Sequence, residues 1–217
     1  MRIHVVESVL KANDAVAAVN RRRIEEAGAL AINVMSAPGS GKTTLLEKTI
    51  PRLAPARCAV LVGDLQTTRD AERIAGVAAD VAQINTGTGC HLTATQVADG
   101  LARFELERMD YVLIENVGNM VCPAGFDLGE HLRVVLLSVP EGDDKVAKYP
   151  GLFQQADIVL LTKVDLLSVL DFDLDRVRED LSRIQTRAPL LRLSARTGEG
   201  MDEWVRWVQG RRRGVAR

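Results

Sequence analysis

The chain has 217 residues, 47% hydrophobic and 26% charged, with a formal net charge of −1. That is the make-up of a soluble globular protein long enough for one generous domain. The near-neutral balance excludes broad electrostatic capture of nucleic acid, and no apolar run is long enough to span a bilayer. Three cysteines do not make a disulfide framework, and the opening MRIHVVESVLKAND lacks the layout of a signal peptide. A reducing, cytoplasmic compartment is therefore expected.

The first predicted element is an amphipathic helix from about Glu7 to Ala27. Leu10, Ala17 and Ile24 fall seven apart, and Gly28 is placed to stop it. The preferred reading is a helix that packs on its own domain; a dimer contact or docking surface is the sharper alternative. Short apolar runs then alternate with helical stretches. The runs are ALAINVM (29–35), CAVLV (58–62), YVLI (111–114), VVLLSV (134–139), IVLLT (158–162) and LLRLS (190–194). Segments near 43–53, 70–79, 92–108, 172–185 and 199–209 read as the intervening helices. Alternation of this kind predicts a mostly parallel sheet covered on both faces, the three-layer α/β sandwich. The division expected is one domain over 1–217: an N-terminal helix (5–28), a core (29–209) and a short basic tail (210–217) that is solvated and frayed.

The first strand runs into SAPGSGKTT (36–44), which fits the P-loop at every position but one, Ser36 standing for the first glycine. Small residues let successive N–H groups converge on phosphate oxygens, and the following helix adds its positive end. Pro38, Gly39, Ser40, Gly41 and Thr44 belong to that cradle. Lys42 is placed to reach the β- and γ-phosphates, and Thr43 to put its hydroxyl on Mg²⁺. This makes the chain a P-loop NTPase.

TKVD (162–165) ends a predicted strand, where a P-loop protein places its guanine-reading motif. Asp165 accepts from two donors that adenine does not present together, Lys163 lies over the base, and Thr162 replaces the usual Asn. Ser194, Ala195 and Arg196, from SART, end the next strand and offer backbone to the guanine oxygen. Each motif sits at a strand's carboxyl end, where such folds bind ligands, and together they favour GTP over ATP. Glu115 ends YVLI and orients Mg²⁺ and water. With Gly118 it forms a DxxG-like switch whose glycine N–H faces the γ-phosphate. Asp64 and Asp70, from VGDLQTTRD, are expected near Mg²⁺ or the attacking water; for Asp70 a helix cap is a competitive alternative.

TGTGCHL (86–92) sets Cys90 beside His91. Neighbours on a regular strand point to opposite faces and cannot share a metal, whereas a loop or helix start permits it. On pattern alone a buried structural thiol is the preferred reading. Cys58 reads as a core thiol, and His4 and His131 as structural or solvated.

From MSAPGSGKTTLLE through GDLQTTRDAERI, NTGTGCHL, IENVGNMVCPAGFDLGE, EGDDKVAKYP and TKVDLL to SARTGEGMDEW, the chain resembles the HypB family, the hydrogenase nickel-incorporation GTPases. The resemblance spans nearly the whole chain. It implies GTP hydrolysis, a homodimer favoured by GTP, and nickel delivery to the large subunit of nickel–iron hydrogenase beside a nickel/zinc chaperone of the same maturation system. No nucleic-acid or membrane partner is implied. It reverses the reading of the Cys-His pair: Cys90, His91 and Cys122 are implied to bind nickel, or zinc, at the dimer interface. Such ligands suit either ion, and sequence does not choose between them. Catalytic roles fall on Lys42, Asp64, Asp70 and Glu115, with Thr43 and Asp64 at Mg²⁺. Many relatives carry an N-terminal cysteine motif or His-rich stretch; this sequence shows neither, so bulk nickel storage is not expected. Thr93 stands where relatives commonly carry an acidic residue, and Thr68 where they often have Asp. Arg69, Lys145 and Lys148 are open to a role across a dimer, with solvated surface charge as the default for the lysines. The rivals are a urease or cobalamin accessory GTPase, a P-loop small-molecule kinase, and a passive metal module.

Overall fold

The computed structural model describes residues 5–64, 68–87 and 89–212. His4 and tail residues 213–217 lie outside them. Helix α1 (Val5–Glu26) precedes β1 (Leu30–Ser36), α2 (Lys42–Thr49), β2 (Cys58–Asp64), α3 (Arg69–Ala75), β3 (Asp80–Asn85) and α4 (Ala94–Leu101). Then come β4 (Tyr111–Glu115), β5 (Leu132–Ser138), α5 (Lys145–Lys148), α6 (Pro150–Gln154), β6 (Ile158–Thr162), α7 (Leu174–Arg183), β7 (Leu190–Arg192) and α8 (Met201–Arg212). The strands form one sheet in the order β3-β2-β4-β1-β5-β6-β7, and every neighbouring pair is parallel.

Alternation along β1 shows why the sheet carries helices on both faces. Leu30, Ile32 and Val34 point into a core shared with Leu45 and Leu46 of α2 and Trp204 of α8. Ala29 and Ala31 point the other way, against Ile24 of α1 and Val97 and Leu101 of α4. Further along that second face, Met35 meets Phe153 of α6 and Val177 of α7. A strand buried on both faces needs apolar residues at odd and even positions alike, and the central strands have them.

Helix α1 packs on its own domain. Ala17 and Ile24 are fully buried. Gly28 ends the helix at φ 74°, with Gly28 N–H to Glu25 O at 2.9 Å and Ala29 N–H to Ile24 O at 3.1 Å, the paired bonds of a Schellman turn. Its polar contacts brace two later loops. Asn13 accepts from Ala94 N–H and donates to Asp127 O. Asn20 donates to Ala94 O and Leu128 O, and Arg21 pairs with Asp127 at 2.8 Å.

Three sequence expectations are corrected. Strand β3 was not predicted: it is an edge strand, half-buried, with Asp80 and Gln83 breaking the apolar run. The helix expected over 92–108 stops at Leu101, and the chain turns so that Phe104 and Leu106 enter the core. The expected frayed tail begins as ordered helix, with Arg212 bonded to Asp110 and Arg211 over the Trp207 ring at 5.0 Å. Short helices α5 and α6 were also missed.

Candidate functional site

The carboxyl ends of the parallel strands all open at one edge, and the predicted site residues gather there. β1 delivers the P-loop. Gly39 (φ 75°) and Gly41 (φ 101°) adopt the left-handed backbone that the loop needs, and α2 starts at Lys42. Ser36, in place of the motif's first glycine, accepts a bond from Lys42 Nζ at 3.2 Å. Ser40 Oγ donates to Ala37 O at 2.7 Å and also meets Glu141. Lys42 is buried, and burial lowers its pKa, while Glu115, Asp70, Glu141 and Asp64 pull it back up. A cation held poorly solvated among carboxylates is primed for a triphosphate.

Thr43 Oγ1 donates to Glu115 Oε1 at 2.7 Å. Glu115 is 3% exposed, and its second oxygen, Oε2, has no hydrogen-bond partner. Burial pushes its carboxyl up to about 7, with the Thr43 bond and Lys42 opposing. An orphaned carboxylate oxygen beside a bonded threonine hydroxyl fits a divalent cation of the Mg²⁺ class, which takes oxygen ligands. Asp64 and Asp70 share a cavity with Lys42, Glu115 and Gly118. Asp70 lies inside α3 rather than at its cap, which is Thr68. Thr68 itself donates to Glu72 at 2.6 Å.

Gly118 abuts the P-loop: a Cβ there would lie 2.9 Å from Pro38 Cα, so only glycine fits. The switch is thereby set against the phosphate loop. Arg73 was missed by sequence reasoning. It bonds Thr44 Oγ1 at 3.0 Å and Glu47 at 2.6 Å, stands 3.7 Å from Asp70, and lines the phosphate cavity. Arg69 is exposed. Lys145 and Lys148 both pair with Asp144.

A separate cavity of about 200 Å³ joins the P-loop to the ends of β6 and β7, with Lys163, Asp165, Ser194, Ala195 and Arg196 on its walls. Asp165 Oδ1 is buried and has no partner, as an acceptor reserved for paired ring donors would be. Lys163 takes a left-handed backbone (φ 59°) and its Nζ bonds Gly39 O at 2.6 Å. Thr162, in place of Asn, donates to Ser40 O at 2.9 Å. Ser194 Oγ accepts from Thr197 N–H.

Cys90 and His91 sit in the bend between β3 and α4, and Cys122 opens a short turn after β4. All three are half-buried, and their ligand atoms lie within 4.8 Å of one another. Among the described residues this is the one such group of three or more His, Cys, Asp or Glu side chains. Cys90 Sγ is 3.5 Å from His91 Nδ1. The bond to Cys122 raises the Cys90 pKa, and burial lowers that of His91. The His91 ring rests 3.9 Å from that of Phe126. The bend brings the ligand atoms of the adjacent Cys90 and His91 together, and Cys90 is half-buried rather than a core thiol. Cys58 is buried in the core, its pKa pushed up to about 12 by burial. His131 is structural: its Nδ1 accepts from Ala31 N–H at 2.9 Å. Thr93 is the N-cap of α4, in a capping box with Gln96.

The model of the CobW/HypB/UreG nucleotide-binding domain matches residues 30–192. The hydrogenase maturation factor HypB of Azotobacter vinelandii is 47% identical over 211 residues, covering 97% of this chain and 70% of that protein. The hydrogenase/urease maturation factor HypB of Helicobacter hepaticus is 42% identical over 214 residues, covering 97% of this chain and 88% of that protein. A crystal structure of HypB from Helicobacter pylori in complex with nickel superposes with a TM-score of 0.90 at 38% identity, over 95% of this chain and 97% of that one.

Proposed function

This chain belongs to the HypB branch of the CobW/HypB/UreG nucleotide-binding family, and we propose that it is a GTP-hydrolysing nickel metallochaperone that helps insert nickel into nickel–iron hydrogenase during maturation. One observation carries the reading. Cys90, His91 and Cys122 converge at the same sheet edge as the P-loop, and Cys122 lies four residues beyond Gly118, the end of the switch segment Glu115–Gly118. A change of nucleotide at the switch therefore reaches a nickel ligand through a few residues of backbone.

GTP lies along the edge, its base on Asp165 and its phosphates in the loop 36–44. Lys42 neutralises phosphate charge. Thr43 and Glu115, with Asp64 nearby, would hold Mg²⁺, which supplies further charge neutralisation on the phosphates. Asp70, Asp64 and Glu115 order the water around the γ-phosphate. Nickel, or zinc in competition, is held by two thiolates and an imidazole, and three ligands leave a position open for transfer. GTP favours association of two chains across this edge. A nickel/zinc chaperone of the same maturation system and the hydrogenase large subunit are the partners, in the cytoplasm. Among the described residues no helix is long and apolar enough to cross a membrane. A urease recipient is the second reading, favoured by the Helicobacter hepaticus relative, a hydrogenase/urease maturation factor.

The test is nickel bound per chain on metal-free protein, first with a non-hydrolysable GTP analogue and then with GDP. Affinity or stoichiometry that changes with the nucleotide and is lost in Cys122→Ala is expected. Nickel binding that ignores the nucleotide would leave a passive metal module.

A further inference from the structure

A buried carboxamide lies between the switch and the nickel ligands. Asn116 follows Glu115 and is 1% exposed. Its Oδ1 accepts from two backbone donors, Val117 N–H at 3.0 Å and Leu92 N–H at 3.2 Å. Its Nδ2 donates to Asn33 Oδ1 at 3.2 Å, and Asn33 Nδ2 donates to Glu130 Oε1 at 3.3 Å. Glu130 is anchored in turn by Arg133 Nε at 2.8 Å and Leu128 N–H at 2.7 Å.

The two donors on Oδ1 come from the two segments that carry the metal ligands. Leu92 is the residue after His91. Val117 lies between Glu115, bonded to Thr43, and Gly118, which abuts Pro38. Both acceptor positions of the oxygen are thereby used. The nitrogen end is tied into a buried chain, so the oxygen cannot follow either donor freely. Leu92 is itself fully buried, and its side chain fills the space beside Gly63, where a Cβ would come within 2.9 Å of it. A shift of Val117 changes what the shared oxygen offers to Leu92 N–H, one residue from a nickel ligand.

We propose that Asn116 is a positioning residue that couples the nucleotide switch to the nickel site, by holding the Val117 and Leu92 N–H groups on one fixed oxygen. The proposal rests on nucleotide-linked nickel binding and adds the residue that transmits it. A residue that only satisfied buried polar groups would support the folded state equally with either nucleotide. A shared acceptor between two segments makes its contribution depend on where the switch stands.

The experiment compares nickel affinity of the full chain with Mg²⁺ and a non-hydrolysable GTP analogue against the same protein with GDP. Wild type is expected to show a ratio of at least about fivefold, the low end of ordinary coupling between sites. Asn116→Ala removes the oxygen, and its ratio is expected to fall to within about twofold of one. Asn116→Asp keeps an oxygen facing both N–H groups, and burial at this site favours the protonated carboxyl, whose O–H donates to Asn33 Oδ1 in place of the amide; most of the ratio is expected to return. An Asn116→Ala ratio equal to wild type overturns the proposal, even if nickel affinity drops in both states together. So does a folded Asn116→Asp that shows no ratio, which decides the matter if the alanine variant does not fold. A wild-type ratio of one removes the proposed function along with this inference, whereas a wild-type ratio that survives in Asn116→Ala removes this inference alone.

Discussion

The nucleotide cradle and the metal corner are built at the same sheet edge by different means. The cradle is a contiguous loop on the central strand β1, and it is tied down by polar contacts: Lys42 to Ser36, Thr43 to Glu115, and Gly39 O to Lys163 of the next motif. The metal corner hangs from the edge strand β3 and from the loop after β4, and its three ligands are half-buried. Its supports are remote: asparagines of α1 on Ala94, and the Asn116 amide on Leu92. The difference teaches that the phosphate loop is preorganised at the centre of the fold, where movement is costly, whereas the proposed cargo site is placed at its margin, on two segments braced from a distance.

The sharpest way to separate the two regions is Lys42→Ala. GTP hydrolysis is expected to fall on the order of a hundredfold or more, as when one preorganised charge stabiliser is removed. Nickel affinity without nucleotide should stay as in wild type. Equilibrium metal titration beside a phosphate-release assay checks both, and loss of nickel binding would break the separation.

Asp165→Ala probes the far end of the cradle. Two hydrogen bonds to a charged acceptor are worth about 1.5–3 kcal/mol each, so preference for GTP over ATP should narrow by roughly a hundredfold or more. Competition between the nucleotides for binding reads it, and an unchanged preference would remove the base assignment.

The pH dependence of stability is the next largest effect. Glu115 has its carboxyl raised by burial from 4.5 to about 7. The folded state therefore holds its proton where the unfolded chain has lost it, and stability declines as pH rises from about 4.5 through about 7. That interval is worth roughly 3 kcal/mol at most. Glu115→Gln should flatten the decline in metal- and nucleotide-free protein. Denaturant midpoints at pH 5 and pH 8 test it, and an equal decline in the variant would refute the assignment.

The smallest effect belongs to the margin. Thr93→Ala removes the α4 cap, at about 1 kcal/mol of stability, and should weaken nickel binding by a few-fold while the hydrolysis rate holds. A larger loss of nickel than of stability would point to Thr93 as more than a cap.

The centre of the molecule was more legible than its margin for the same physical reason. A strand buried on both faces must be apolar throughout, so β1, β2, β4, β5 and β6 announce themselves. The P-loop is a local motif whose chemistry constrains adjacent residues. Edge strand β3 has no such obligation, and Asp80 and Gln83 hide it. Cys90, His91 and Cys122 were singled out by resemblance, since nothing in their spacing brings Cys122 near the other two. Arg73 and Asn116 act through tertiary contacts that leave no local pattern. Asn13 and Asn20 left a faint one: two carboxamides seven apart on a helix face otherwise buried.

Thr162 and Lys163 stand at the mouth of the base cavity, yet both bond the phosphate loop, at Ser40 O and Gly39 O. The loop that identifies the base is thus latched to the loop that grips the triphosphate. Under the proposed base assignment, fidelity for guanine is then expected to be a property of turnover as well as of binding.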